Sequence, residues 1–125
     1  GRVGRVETPG RQLDVSLTMP ASLGGDGNPG TNPEELFAAG YAACFLGAMT
    51  FVAGKLKIRM AAESVVDGRV GIGPIPTGFG IEVELRIALP GLEPDVARNL
   101  IEKAHVVCPY SNATQGNINV TLTLV

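Results

Sequence analysis

Two cysteines are the residues of this 125-residue chain whose type and number best suit chemistry. Cys44 and Cys108 lie 64 positions apart, and the chain contains a single His. Two cysteines are too few for a disulfide-dense scaffold, and with one His they fall short of a structural zinc site. The pair therefore leaves thiol redox chemistry open.

Cys44 lies within a stripe of small residues. Gly40, Cys44, Gly47 and Gly54 are spaced by four, three and seven positions, which places them on one face of a helix. A glycine costs a helix about 1 kcal/mol relative to alanine, so we expect a neighbour that needs the close approach. The neighbour is either a packed helix or sheet, as for most buried cysteines, or a substrate that needs room beside the thiol.

Cys108 precedes a proline, in the run Cys-Pro-Tyr-Ser-Asn, and so stands where the N-cap of a short helix would be. The backbone N–H groups of that helix would favour its thiolate. Cys44, in the middle of a long helix, is expected to receive no such help and to need a cation from elsewhere. His105 is interpreted as a helix-end residue rather than as an assistant to Cys108.

Alternating apolar and polar residues predict the strands. The alternation covers residues 12–19, 79–89 and 118–124. Residues 57–72 also have strand character, interrupted by Asp67-Gly68, so we expect a hairpin with its turn at that dipeptide. The segment 71–80, which is rich in Gly and Pro, is predicted to be a loop.

Capping signals predict three helices. Asn32, Pro33 and two acids predict a helix that begins near Pro33 and ends near Gly54. A second helix begins at Glu93-Pro94 and ends near Val107, and a short third one begins at Pro109. Together these elements predict a single α+β domain over residues 1–125, with a largely antiparallel sheet packed on a long central helix.

Composition and charge exclude several classes of protein. Apolar residues make up 45% of the chain and the formal charge is -2, which argues against a general binder of nucleic acid or of anionic membranes. The uncharged run Leu36–Gly54 is rich in Ala and Gly, so we interpret it as a buried core helix rather than a membrane span. No secretion signal is recognisable, and we expect a cytoplasmic protein.

Two segments resemble the signature segments of the organic hydroperoxide resistance (Ohr) family, in the OsmC/Ohr superfamily. They are residues 32–48, NPEELFAAGYAACFLGA, and residues 107–114, VCPYSNAT. The similarity extends to Gly1-Arg2 and to Gly116-Asn117-Ile118. It therefore covers essentially the whole chain, with the N-terminal strand of the family missing.

The resemblance implies an OsmC/Ohr-like fold and a bacterial thiol peroxidase that acts on alkyl and fatty-acid hydroperoxides. It implies that Cys44 is the peroxidatic thiol, Cys108 the resolving thiol, Arg2 the cation that activates Cys44, and Glu34 the carboxylate that orients Arg2. It also implies an intertwined homodimer with active sites at the interface, and no bound cofactor or metal. The implied reductant is a dihydrolipoyl group on a lipoylated protein, served by a lipoamide dehydrogenase system.

The implied residue types suit this chemistry. A thiolate that attacks a peroxide becomes a sulfenic acid, which a second thiol converts to a disulfide. A guanidinium stays charged and can hold the thiolate, and a carboxylate can fix its direction. Glu34 and Cys44 are about 15 Å apart along one helix, so either Arg2 spans the gap or Glu34 acts from the partner subunit. Val3 departs from the family pattern in the loop that holds Arg2.

Aromatic residues surround both cysteines in the sequence. Phe37, Tyr41, Phe45 and Tyr110 could form an apolar wall for an organic substrate, although a central helix also collects aromatics for packing. Two rival functions stay open: an OsmC-type peroxidase of broader specificity and a non-enzymatic thiol redox sensor. A pair of thiols with a purely structural role is a third.

Overall fold

A computed structural model describes every residue of the chain, Gly1–Val125. It has the expected mixture of helices and strands and divides into two compact units, Gly1–Phe37 and Ala38–Val125. The single domain expected over residues 1–125 stays a prediction.

The first unit is built on a short antiparallel ribbon. Strand β1, Gly4–Glu7, pairs with β2, Asp14–Leu17, in a register that places Gly4 opposite Leu17. Beyond β2 the chain returns, and Thr31 forms a parallel bridge with Leu17. In this bridge the Thr31 N–H donates to the carbonyl of Ser16 at 2.9 Å. Strand β2 is shorter than the predicted 12–19. Strand β1 was not predicted, because four residues carry too little alternation.

Helix α1, Pro33–Leu56, begins in the first unit and continues into the second. Its start is confirmed: Asn32 Oδ1 accepts from the Glu35 N–H at 2.8 Å, and Asn32 Nδ2 donates to Glu35 Oε1 at 2.9 Å. Lys57 then takes a left-handed conformation and the Ile58 N–H bonds to the carbonyl of Ala53. The helix thus ends two residues beyond the predicted Gly54.

By length and composition alone, α1 is suited to cross a membrane, and it is the one helix of Gly1–Val125 that is. This is weak evidence, because the core helix of a soluble protein has the same properties. Of its most apolar 18-residue window, 39% is buried within the chain. Seven residues of α1 are buried within the chain, and the interpretation that the helix does not span a membrane stays a prediction.

The sheet of the second unit has the order β3-β4-β5. Strand β3, Val65–Ile75, pairs antiparallel with β4, Gly78–Ala88, through a two-residue turn at Pro76 and Thr77. Strand β5, Val120–Leu124, lies parallel to β4. The strands predicted at 79–89 and 118–124 are therefore confirmed, with small changes at their ends.

The hairpin turn predicted at Asp67-Gly68 is wrong, and so is the loop predicted at 71–80. Asp67 and Gly68 lie inside β3, and all of 71–80 except the two turn residues is paired strand. Gly68 serves packing rather than turning, because a Cβ there would lie 2.6 Å from the carbonyl oxygen of Ala38 in α1. A turn-like dipeptide is overridden when its glycine is needed where a helix crosses the sheet.

Two helices complete the second unit, and both were predicted. Helix α2 spans Pro94–Val107 and α3 spans Pro109–Thr114, with Cys108 between them. The Cys108 N–H donates to the carbonyl of Ala104 and its own carbonyl accepts from the Asn112 N–H, both at 2.9 Å. Cys108 is thus the last hydrogen-bonded link of one helix and the first of the next.

The core of the second unit lies between α1, β4 and α2. The inward residues of β4 alternate as the sequence predicts, and α2 buries Ala97, Leu100, Ile101 and Ala104, whereas Val96 is exposed. The large buried residues are Tyr41, Phe45, Met49 and Val52 from α1, Val83, Leu85 and Ile87 from β4, and Leu100 and Ile101 from α2.

Replacing Gly68 by alanine tests the close approach of β3 to α1. We expect Gly68→Ala to lower the free energy of unfolding by about 1–3 kcal/mol, because the new methyl group meets backbone rather than a movable side chain. Urea denaturation measures this. Gly73→Ala is the matched control, since no heavy atom lies within 4 Å of a Cβ there. Equal stability of the two variants would contradict the packing account.

Candidate active site

The two sulfurs lie next to each other in the second unit. The Cys108 thiol points at the Cys44 sulfur with an Sγ–Sγ distance of 3.5 Å, and both thiols are free. A disulfide needs about 2.05 Å, so an approach of roughly 1.5 Å would join them. The sequence left their separation open, and the fold brings together two residues that are 64 positions apart.

Cys44 and Cys108 differ in access to solvent. Cys108 is fully buried, whereas Cys44 is partly exposed on α1. Burial nevertheless raises the pKa of the Cys44 thiol, and the neighbouring Cys108 raises it further. Both effects disfavour the thiolate form of Cys44.

One backbone group opposes that effect. The N–H of Tyr110, in the first turn of α3, bonds to the Cys44 sulfur and lowers its pKa. The expectation that Cys44 receives no help from the backbone is therefore wrong. A backbone N–H of α3 was expected to assist Cys108. The Tyr110 N–H instead assists Cys44, because α3 packs against α1. Cys108 makes no side-chain capping bond.

A paired guanidinium and carboxylate lie in the first unit. Arg2 Nη1 donates to Glu34 Oε2 at 2.8 Å and Nη2 donates to Oε1 at 2.5 Å. This two-fold contact fixes the plane of the guanidinium. The hydrogen bond from Arg2 lowers the pKa of Glu34, outweighing the partial burial of the carboxyl, and Glu34 raises the pKa of Arg2 in return.

The structure joins Arg2 and Glu34 within one chain, as one of the two expected arrangements requires. The position of Glu34 in the first turn of α1 follows from the Asn32 cap, which sets where the helix begins. The thiols and the ion pair belong to different compact units. The action of Arg2 on Cys44 stays a prediction.

The four aromatic residues expected to bind substrate differ in exposure. Tyr41 and Phe45 are fully buried, Phe37 is partly buried and Tyr110 is 39% exposed. The rings of Tyr41 and Tyr110 are 5.7 Å apart. Their contact with substrate stays a prediction.

The glycine stripe has a packing explanation at one position. A Cβ on Gly40 would lie 3.3 Å from the hydroxyl oxygen of Tyr110, so glycine admits that ring beside Cys44. At Gly47 and Gly54 no heavy atom lies within 4 Å of such a Cβ. The packing interpretation therefore applies to Gly40 and not to Gly47 or Gly54.

Sequence reasoning missed two polar residues beside the thiols. Ser111 and Thr114 are buried, and their hydroxyls bond to Tyr41. Ser111 also contacts His105, which lies in the last turn of α2, as expected, and is half-buried. No group of three or more His, Cys, Asp or Glu side chains in Gly1–Val125 is arranged to hold a metal ion.

Comparison with known proteins identifies the family. The family model for OsmC-like protein matches residues 24–123. The chain belongs to the OsmC-like family. Among its OsmC-like relatives, the organic hydroperoxide resistance protein of Xanthomonas axonopodis pv. citri is 59% identical over 124 residues, which is 99% of this chain and 87% of the relative.

Solved structures agree with this assignment. The organic hydroperoxide resistance protein OsmC of Legionella pneumophila superposes with a TM-score of 0.92 at 46% identity, covering 99% of this chain and 90% of that one. OhrB of Bacillus subtilis gives 0.89 at 41% identity, covering 100% and 92%. These matches confirm the expected OsmC/Ohr membership and the α+β fold.

Titration of Glu34 tests the ion pair of this OsmC-like protein. By carboxyl-carbon NMR we expect a Glu34 pKa below that of an ordinary glutamate, and a higher one in Arg2→Gln. The stabilisation from the pair is complete above pH about 4.3 and is lost as the pH falls through the lowered value. Arg5→Gln is the control, because Arg5 pairs with Asp14 instead. An unchanged Glu34 titration in Arg2→Gln would contradict the pairing.

Proposed function

We propose that this OsmC-like protein is a cysteine-based peroxidase that reduces alkyl and fatty-acid hydroperoxides to alcohols. The observation that carries the proposal is the 3.5 Å separation of Cys44 Sγ and Cys108 Sγ, of which the first is partly exposed and the second is buried. Relatives that match nearly the whole chain are named for resistance to organic hydroperoxides.

Cys44 is the attacking thiol in this proposal. Its partial exposure admits a peroxide, whereas Cys108 is fully buried. The Cys44 thiolate attacks one peroxide oxygen and the O–O bond breaks. The departing alkoxide takes a proton to become the alcohol, and Cys44 becomes a sulfenic acid.

Cys108 then acts as the resolving thiol. Its sulfur attacks the Cys44 sulfenic acid, the S–O bond breaks and water leaves, so that a Cys44–Cys108 disulfide forms. A dihydrolipoyl dithiol on a lipoylated partner reduces this disulfide by exchange and is itself oxidised to the cyclic disulfide. A lipoamide dehydrogenase system restores the dithiol. The protein's own groups need no bound cofactor or metal for these steps.

Arg2 supplies the positive charge that Cys44 needs. Burial raises the pKa of Cys44 and the Tyr110 N–H alone does not restore it. A permanently charged guanidinium held by Glu34 favours the thiolate and stabilises charge on the departing oxygen. Tyr110, the most exposed of the four aromatic residues, is the one that meets the organic group first, with the ring of Tyr41 5.7 Å from its own. Phe37 and Phe45 are the other two residues proposed to bind the substrate.

The working unit is a homodimer in the cytoplasm. Large apolar side chains in the second unit support a covered surface: Phe51 and Val106, which line one depression, are 57% and 70% exposed in the single chain. Exposed apolar surface of this kind commonly marks an interface. The family resemblance implies that the active sites lie at the interface of this dimer.

Exchange of each cysteine separates the two proposed roles. With cumene hydroperoxide and dihydrolipoamide, we expect Cys44→Ser to abolish turnover. In the absence of dihydrolipoamide, Cys108→Ser should consume about one equivalent and stop at a sulfenic acid that dimedone traps, because neither a second protein thiol nor an added dithiol is available. Peptide mass spectrometry and peroxide assays measure both. Continued turnover by Cys44→Ser would contradict the assignment.

Two rival functions are distinguished by the same assays. After one equivalent of cumene hydroperoxide, the native protein should yield a peptide linked between residues 44 and 108. A redox sensor would form this link once without sustained consumption in the presence of dihydrolipoamide. A peroxidase of broader specificity would turn over hydrogen peroxide and the organic hydroperoxide at similar rates, whereas we expect preference for the organic one.

A further inference from the structure

A chain of polar groups runs through the second unit behind the thiols. His105 Nδ1 lies 2.8 Å from Ser111 Oγ, which lies 2.8 Å from the Tyr41 hydroxyl. The Tyr41 hydroxyl lies 3.3 Å from Thr114 Oγ1, and that hydroxyl donates to the carbonyl of Tyr110 at 3.0 Å. This hydrogen-bonded chain joins α2, α1 and α3.

These hydrogen bonds give the chain a direction. The Thr114 hydroxyl faces two carbonyls, that of Tyr110 at 3.0 Å and that of Ser111 at 3.2 Å; carbonyls can only accept, so Thr114 donates to them and accepts from Tyr41. Tyr41 then accepts from Ser111, because each hydroxyl has a single proton. Ser111 in turn accepts from His105. The direction therefore assigns His105 Nδ1 as an N–H donor.

The hydrogen-bonded chain ends at Tyr110, which also contacts Cys44. The carbonyl of Tyr110 receives the last hydrogen bond, and the N–H of Tyr110 bonds to the Cys44 sulfur. Helix α3 has six residues, too few to hold its own conformation without tertiary support. Ser111, which is fully buried at the middle of α3, supplies that support.

We propose that the chain His105–Ser111–Tyr41–Thr114 holds α3 in the position from which Cys108 closes on an oxidised Cys44. His105 and Ser111 are then positioning residues, and His105 acts through its Nδ1–H. The inference rests on the proposed function for the closing step, in which the Cys108 sulfur bonds to the Cys44 sulfur and water leaves. A misplacement of about 1 Å commonly slows a reaction about 100-fold, so this step is sensitive to the chain.

Single-turnover kinetics test the inference. We expect Ser111→Ala to slow disulfide closure about 10- to 100-fold, so that dimedone traps more of the Cys44 sulfenic acid. Ser64→Ala is the matched control, because the Ser64 hydroxyl is buried without a hydrogen-bond partner and takes no part in the His105–Ser111–Tyr41–Thr114 hydrogen bonds. Closure at the native rate in Ser111→Ala would overturn the inference.

The direction of the chain has a test of its own. We expect His105→Leu to slow closure as Ser111→Ala does, and His105→Asn to restore it, because an asparagine NH₂ group can donate from the place of Nδ1. Nitrogen NMR of the native protein at mildly alkaline pH should find the proton on Nδ1. A bare Nδ1, or equal closure rates for the two His105 variants, would overturn the assignment.

Failure of the proposed function is distinguishable from failure of this inference. If the native protein forms no sulfenic acid and no 44–108 link with hydroperoxide, the proposed function is wrong. If the native protein forms both and the Ser111 and His105 variants close at the native rate, only the inference is wrong. The NMR measurement needs no peroxide and stays decisive if Ser111→Ala does not fold.

Discussion

Burial of the Cys44 sulfur opposes the negative charge that this sulfur must carry to react. Desolvation by the surrounding residues raises the pKa of the thiol, and a second sulfur at 3.5 Å adds to the effect. The same burial lets an organic substrate leave water and brings Cys108 within reach. The proposed chemistry therefore needs donors and a cation directed at one atom, and the Tyr110 N–H is the first of these.

The rest of the fold can be understood as support for that atom. Helix α1 carries Cys44, and the glycine at position 68 allows β3 to pack directly on its backbone. Helix α2 ends at Cys108, where Pro109 lacks the N–H needed to continue it. The chain turns there into α3, which returns its first amide to Cys44. The ion pair of Arg2 and Glu34 is held independently, by the cap that fixes the start of α1.

Local signals predicted most of the elements and the identity of the thiols. The Asn32 cap, the prolines at 94 and 109 and the alternation in β4 each act within a few residues, so the sequence records them. The turn predicted at Asp67-Gly68 was wrong because Gly68 packs against the backbone of α1, which is distant in sequence. The Tyr110 amide and the Ser111 network could not be predicted, since both depend on how a six-residue helix docks.

The acidity of Cys44 is the most direct test of the account. In a Cys108→Ser background, the rate of alkylation by iodoacetamide followed against pH gives the pKa of Cys44 alone. The account predicts a midpoint below the value of about 8.5 for free cysteine, and a higher midpoint when Arg2 is also changed to Gln. A midpoint at or above that of free cysteine with Arg2 intact would contradict it.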